Sequence, residues 1–73
     1  MPAVLKKTEL DVKTQTVSIT VNIIVQNQVF EVICVAPTTD LLSLAQADGR
    51  SDWNTQDCAD IASTEIGMTV NVS

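Results

Sequence analysis

Apolar residues occupy every odd position from Val17 to Val25, and Ser18, Thr20 and Asn22 stand between them. A period of two is the mark of a strand with one face buried. The β-branched side chains that fill this stretch suit a pleated surface and disfavour a helix. Gln26, Asn27 and Gln28 break the pattern, and a second apolar run follows from Val29 to Val35 with Glu31 as its one charge. Asn27 tolerates the positive φ that a tight hairpin turn requires. Together the two runs predict a β-hairpin.

The charge of Glu31 selects the register. A three-residue loop at 26 to 28 would set Glu31 opposite Ile23, among apolar side chains. A two-residue turn at Gln26 and Asn27 instead pairs Ile23 with Phe30, Val21 with Val32 and Ile19 with Cys34, leaving Glu31 opposite Asn22 on the other face. Apolar partners across a ladder stabilise each other by about 0.2 to 1 kcal/mol per pair, which favours the shorter turn. The second arm is then apolar on both faces, the pattern of a central strand. The face carrying Ile24, Val29, Ile33 and Val35 needs a cover of its own, from a helix or from another subunit.

Residues 8 to 13 also alternate, with Leu10 and Val12 on one side, while residues 1 to 7 show no such order and are expected to be loose. Because apolar parity switches from even to odd after residue 12, a turn or bulge is required near Lys13 to Thr16. Pro37 ends the hairpin. A short helix is expected next, capped by Thr38 or Thr39, with Asp40 in its first turn and a body of Leu41, Leu42, Leu44, Ala45 and Ala47 closed by Asp48 and Gly49. A second, from about Thr55 to Glu65, carries Cys58, Ile61, Ala62 and Glu65 at helical spacing, with Asn54 or Thr55 as cap and Gly67 as its stop. Met68, Val70 and Val72 alternate as a last strand.

These elements predict one α+β domain over residues 1 to 73, a small antiparallel sheet with an N-terminal meander, two short helices and a returning C-terminal strand. The helices are expected on the face led by Ile19, Val21, Phe30 and Val32. A 73-residue chain buries only about 60 to 65% of its unfolded surface, and a core of that size supplies roughly 3 to 5 kcal/mol. Self-association, a disulfide or a metal commonly makes up the difference. Cys34 and Cys58 fall in different elements, and two free buried thiols are expected, a disulfide being the alternative. With no signal-like start and no apolar stretch of the ~20 residues a spanning helix needs, a cytoplasmic or virion-associated protein that enters no membrane is expected.

Charge narrows the function classes. The net charge is −5, and the excess lies after residue 37, where Asp40, Asp48, Asp52, Asp57, Asp60 and Glu65 oppose Arg50 alone. Phosphate contacts need clustered Lys or Arg, and stacking on bases needs aromatic rings, of which Phe30 and Trp53 are all the chain has; direct nucleic-acid binding is not expected. Histidine is absent, no nucleophile sits in a recognisable motif and two glycines cannot build a phosphate loop, so no catalysis and no cofactor are expected.

Three constellations remain. The loop from Asp48 to Asp57 offers oxygen ligands, but counting from Asp48 the third, sixth and twelfth positions are Arg50, Trp53 and Ala59, so turn and cap roles are expected and no metal site. Trp53 either anchors a partner, with Asp52, Asp57, Asp60 and Glu65 as an acidic surround, or folds back over the core. That acidic set either forms a solvated face or acts as a decoy for a basic protein surface, as in acidic inhibitors and nucleic-acid mimics. The sheet is the strongest candidate. Lys13 and the bulge protect only its first segment, and soluble monomers normally guard such edges. A non-enzymatic, self-associating module is expected, of the kind found among small virion, assembly or accessory proteins of phages and mobile elements, with Ile24, Val29, Ile33 and Val35 as its contact residues. The alternative is a monomeric acidic inhibitor.

Overall fold

In the computed structural model, which describes residues 2–73, the chain runs β1 (Ala3–Asp11), β2 (Thr16–Val25), β3 (Gln28–Pro37), α1 (Thr38–Ala47), α2 (Thr55–Ile66) and β4 (Val70–Val72). This is the expected α+β arrangement. The turn between β2 and β3 is two residues long, and both Gln26 (φ 50°) and Asn27 (φ 64°) lie in the left-handed region, as a type I′ turn demands. It sets Val25 opposite Gln28, Ile23 opposite Phe30, Val21 opposite Val32, Ile19 opposite Cys34 and Glu31 opposite Asn22. That is the register selected by the charge of Glu31.

The first strand begins earlier than its sequence indicates. Residues 3 to 7, expected to be loose, form the first half of β1, and Ala3 and Leu5 are buried in the core; Met1 lies outside the described residues. A bulge at Lys6 hides this strand from a period-two reading, because the register against β2 slips between Leu5 and Lys7. Inward positions are odd before the slip and even after it, at Thr8 and Leu10. Val12 falls in the following turn and is exposed, with the Asp11 carboxylate accepting from the backbone N–H of Lys13 (2.9 Å) and Thr14 (3.3 Å).

The strand order is β3-β2-β1-β4. The meander is antiparallel as expected, but β4 joins β1 in parallel, Ala3 facing Val70 and Leu5 facing Val72, so the sheet is mixed. A second correction concerns β3. Its two-sided apolar pattern reads as a central strand, yet it lies at the outer edge, because the two helices carry the chain over one face to the far side of β1.

Both helices pack on that one face. Leu41 from α1 and Cys58, Ala59 and Ala62 from α2 share one core with Ala3, Leu5, Val17, Ile19, Val21, Cys34 and Ala36 from the strands, and Ala45 of α1 is also buried. Small side chains on α2 let it lie close to the sheet. Its ends are fixed by an Asn54 cap, reciprocated by Asp57, and by Gly67 in the left-handed conformation (φ 72°). Ser63 then holds β4 in place, its hydroxyl accepting from the Val70 N–H at 2.9 Å. At α1 the expected threonine cap is not used. Pro37 occupies that position, and the Thr38 N–H donates to the Gln15 carbonyl at 2.9 Å, so a tertiary contact replaces the side-chain cap.

Helices of 10 and 12 residues span only about 15 to 18 Å, whereas hairpin arms of 10 residues extend about 33 Å. The helix layer therefore stops short. Ile23 and Val32 are partly covered, and Phe30, expected under the helices, remains half-exposed near the hairpin tip.

The two faces make opposite predictions for one chemical change. Ile19→Val, in the covered core, should cost about 1 kcal/mol in urea unfolding, and Ile33→Val, on the open face, less than about 0.5 kcal/mol under dilute conditions. Equal costs would contradict the assignment of the faces.

Candidate interaction surface

Among the described residues none covers the face of the sheet opposite the helices. Register and alternation place Ser18, Thr20, Asn22 and Ile24 of β2 on it beside Val29, Glu31, Ile33 and Val35 of β3. Val29, Ile33 and Val35 are 62%, 60% and 55% exposed, and Ile24 is 38% exposed. The set named from sequence for self-association is thus gathered on one surface, as a row along β3 with Ile24 beside it. Toward β1 the face becomes polar. Lys6 reaches across β2 to Glu31 at 3.0 Å, and Lys7 pairs with Glu9 at 3.0 Å, so both lysines there are paired and Asp11 at the end of β1 is the remaining charge.

The same strand exposes its backbone. A two-residue hairpin turn makes Val25 and Gln28 a hydrogen-bonded pair, and alternation then commits the N–H and C=O of Phe30, Val32, Cys34 and Ala36 to β2. Those of Val29, Glu31, Ile33 and Val35 point away from the sheet. The residues with exposed apolar side chains are therefore also those with outward backbone groups. At the opposite edge β4 is only 3 residues long, and short edges are a common defence against pairing. The edge of β3 is 10 residues long and carries a proline only at its end.

The acidic set is not one face. Asp57 is buried, receives the Arg50 guanidinium through two bonds of 2.9 and 2.7 Å, and accepts from the Asn54 N–H at 2.9 Å. Arg50 also binds Asp48 at 2.9 Å, and Asp52 accepts from the Trp53 N–H at 2.8 Å. The loop carboxylates thus serve turns, a cap and an ion pair. Among the described residues no three Asp, Glu, Cys or His side chains converge as a metal-ligand set. Trp53 packs half-buried against the core, folding back rather than standing free.

Asp60 and Glu65 remain exposed, and sequence reasoning missed their setting. They line a cleft of about 450 Å³ between α1 and α2 with Asp40, Ser43, Leu44, Ile61 and Thr64. Helical spacing of Asp40 with Leu44, and of Asp60 and Ile61 with Thr64 and Glu65, is its only trace in the sequence. Cys34 and Cys58 are free and buried. Burial pushes both thiols up, reinforced by Glu65 at Cys34 and by Asp57 at Cys58, so neither is an activated nucleophile.

Comparison with protein-family models, curated proteins and solved structures finds no match.

The Arg50 pair, helped by the Asn54 N–H and opposed by burial, holds the Asp57 carboxyl below the usual carboxylate range. A depressed native pKa stabilises the fold fully above the unfolded value and is lost as pH falls through the native one. Asp57→Asn should cost about 1 kcal/mol at neutral pH and flatten the loss of stability below about pH 4, read by urea unfolding across pH. Superimposable acid profiles would contradict a structural role for this carboxylate.

Proposed function

We propose that this chain is a non-enzymatic interaction module that self-associates through its β-sheet, at the outer strand and the uncovered face beside it. One observation carries the reading: Val29, Ile33 and Val35 are exposed along an edge strand, where soluble monomers normally place lysine, proline or a bulge. A lone lysine near this edge, Lys6, is paired with Glu31. Charge favours a second copy as partner. Beside the outer strand Glu31 is paired with Lys6, and Lys7 is paired with Glu9. Asp11, two strands away at the end of β1, is the remaining charge of the open face. Two copies therefore meet at β3 with little net repulsion, whereas Asp40, Asp60 and Glu65 lie on the helix side.

A second reading is supported by the cleft between the helices, whose acidic rim around Leu44 and Ile61 suits a basic amphipathic segment of another protein. The two readings respond oppositely to salt. Added salt weakens the capture of a basic peptide but leaves apolar self-association intact or strengthens it.

Light-scattering mass measured over a range of concentrations should rise toward a dimer or larger species, and Ile33→Glu should raise the dissociation constant at least tenfold without lowering the melting temperature of the dilute monomer. Asp60→Asn with Glu65→Gln should leave the mass unchanged. A constant monomer mass at the highest attainable concentration would overturn self-association. Capture of a basic peptide, lost in that double variant, would then favour the second reading.

A further inference from the structure

We infer that a second copy of this chain pairs with the first through β3, antiparallel, about a two-fold axis at Val32, joining both sheets into one continuous sheet. This rests on the self-association reading and fixes its geometry.

The register follows from which groups point outward. Residues opposite each other in a ladder share a face, and only Val29, Glu31, Ile33 and Val35 present free backbone groups along the middle of the strand. Three axes bring these stretches together. An axis at Glu31 sets two carboxylates face to face, which is destabilising, and pushes Val35 against turn residue Asn27. An axis at Ile33 sets Val29 opposite Pro37, which has no N–H to give. With the axis at Val32, Val29 meets Val35 of the other copy and Glu31 meets Ile33, so every outward N–H and C=O of these residues finds a partner.

Side chains agree with this choice. On the open face Val29 of each copy packs against Val35 of the other at both ends of the seam, and the two central Glu31–Ile33 pairs are tolerated because that face is solvated, Ile33 being 60% exposed, unlike the covered Ile23. Glu31 keeps its bond to Lys6, which lies on the inner side of the sheet relative to the seam. On the helix side Val32 meets Val32, and the half-exposed Phe30 meets Cys34 of the other copy. The register thus gives cover to the one aromatic ring that the helices leave open.

A mixed sample of isotope-labelled and unlabelled chain, examined by filtered NOE spectroscopy at a concentration where light scattering shows the dimer, tests this. Intermolecular Hα–Hα contacts are expected between Phe30 and Cys34 and at Val32 with itself, the non-hydrogen-bonded pairs of the new ladder. Ile33→Pro removes only an outward N–H, so it should keep the native circular dichroism spectrum and weaken the dimer at least tenfold. A dimer whose intermolecular contacts join other residues would overturn this register while leaving self-association standing. A monomer at every concentration would overturn both. Should Ile33→Pro unfold, the NOE pattern of the unsubstituted chain decides alone.

Discussion

The two-residue turn at Gln26 and Asn27 decides which way every group of β3 points. Both residues adopt positive φ, which matches the right-handed twist of the arms and admits no extra residue. From that constraint follow the pairing of Ile19 with Cys34 and Val21 with Val32 under the helices, and the exile of Val29, Ile33 and Val35 to the far face. The same turn assigns even-numbered backbone groups to β2 and odd-numbered ones to the outside. A one-residue slip would exchange the two faces and carry Glu31 into the core.

The second constraint is the small amount of material that can cover the sheet. Two helices, closed at Asp48 and Gly67, shield the Val17 to Val21 region and end before the hairpin tip. Their buried positions are mostly alanine and cysteine, so the layer is close but thin, and large apolar volume comes from Ile19, Leu41, Val17 and Val21. The buried Asp57 is tolerated in this setting because Arg50 and the Asn54 N–H satisfy it; a lone buried carboxylate would cost far more. Among the described residues the second face receives no equivalent layer, and the sequence nevertheless places Val29, Ile33 and Val35 on it along β3.

Much of this architecture is legible in the order of residues alone. Glu31 betrays the hairpin register, since it is the one charge in an apolar run, and Asn54 and Gly67 mark the ends of α2. What stays hidden has physical reasons. The Lys6 bulge resets the alternation that would otherwise reveal β1. A strand apolar on both faces has the same sequence pattern whether it is central or an edge awaiting another chain, so the place of β3 is set only by the path of the helices. Asp57 looks like its acidic neighbours because burial of a capping carboxylate depends on Arg50, seven positions away. The cleft between the helices depends on how α1 and α2 lie together, which no local pattern records.

Site-resolved amide hydrogen exchange, measured in dilute and in concentrated solution, tests the placement of β3 most directly. In dilute solution Phe30, Val32, Cys34 and Ala36 should be protected while Val29, Glu31, Ile33 and Val35 exchange freely, and concentration should extend protection to that second set. Protection of all eight amides in dilute solution, or free exchange of the odd-numbered four at every concentration, would contradict the account of an open edge filled by a second copy.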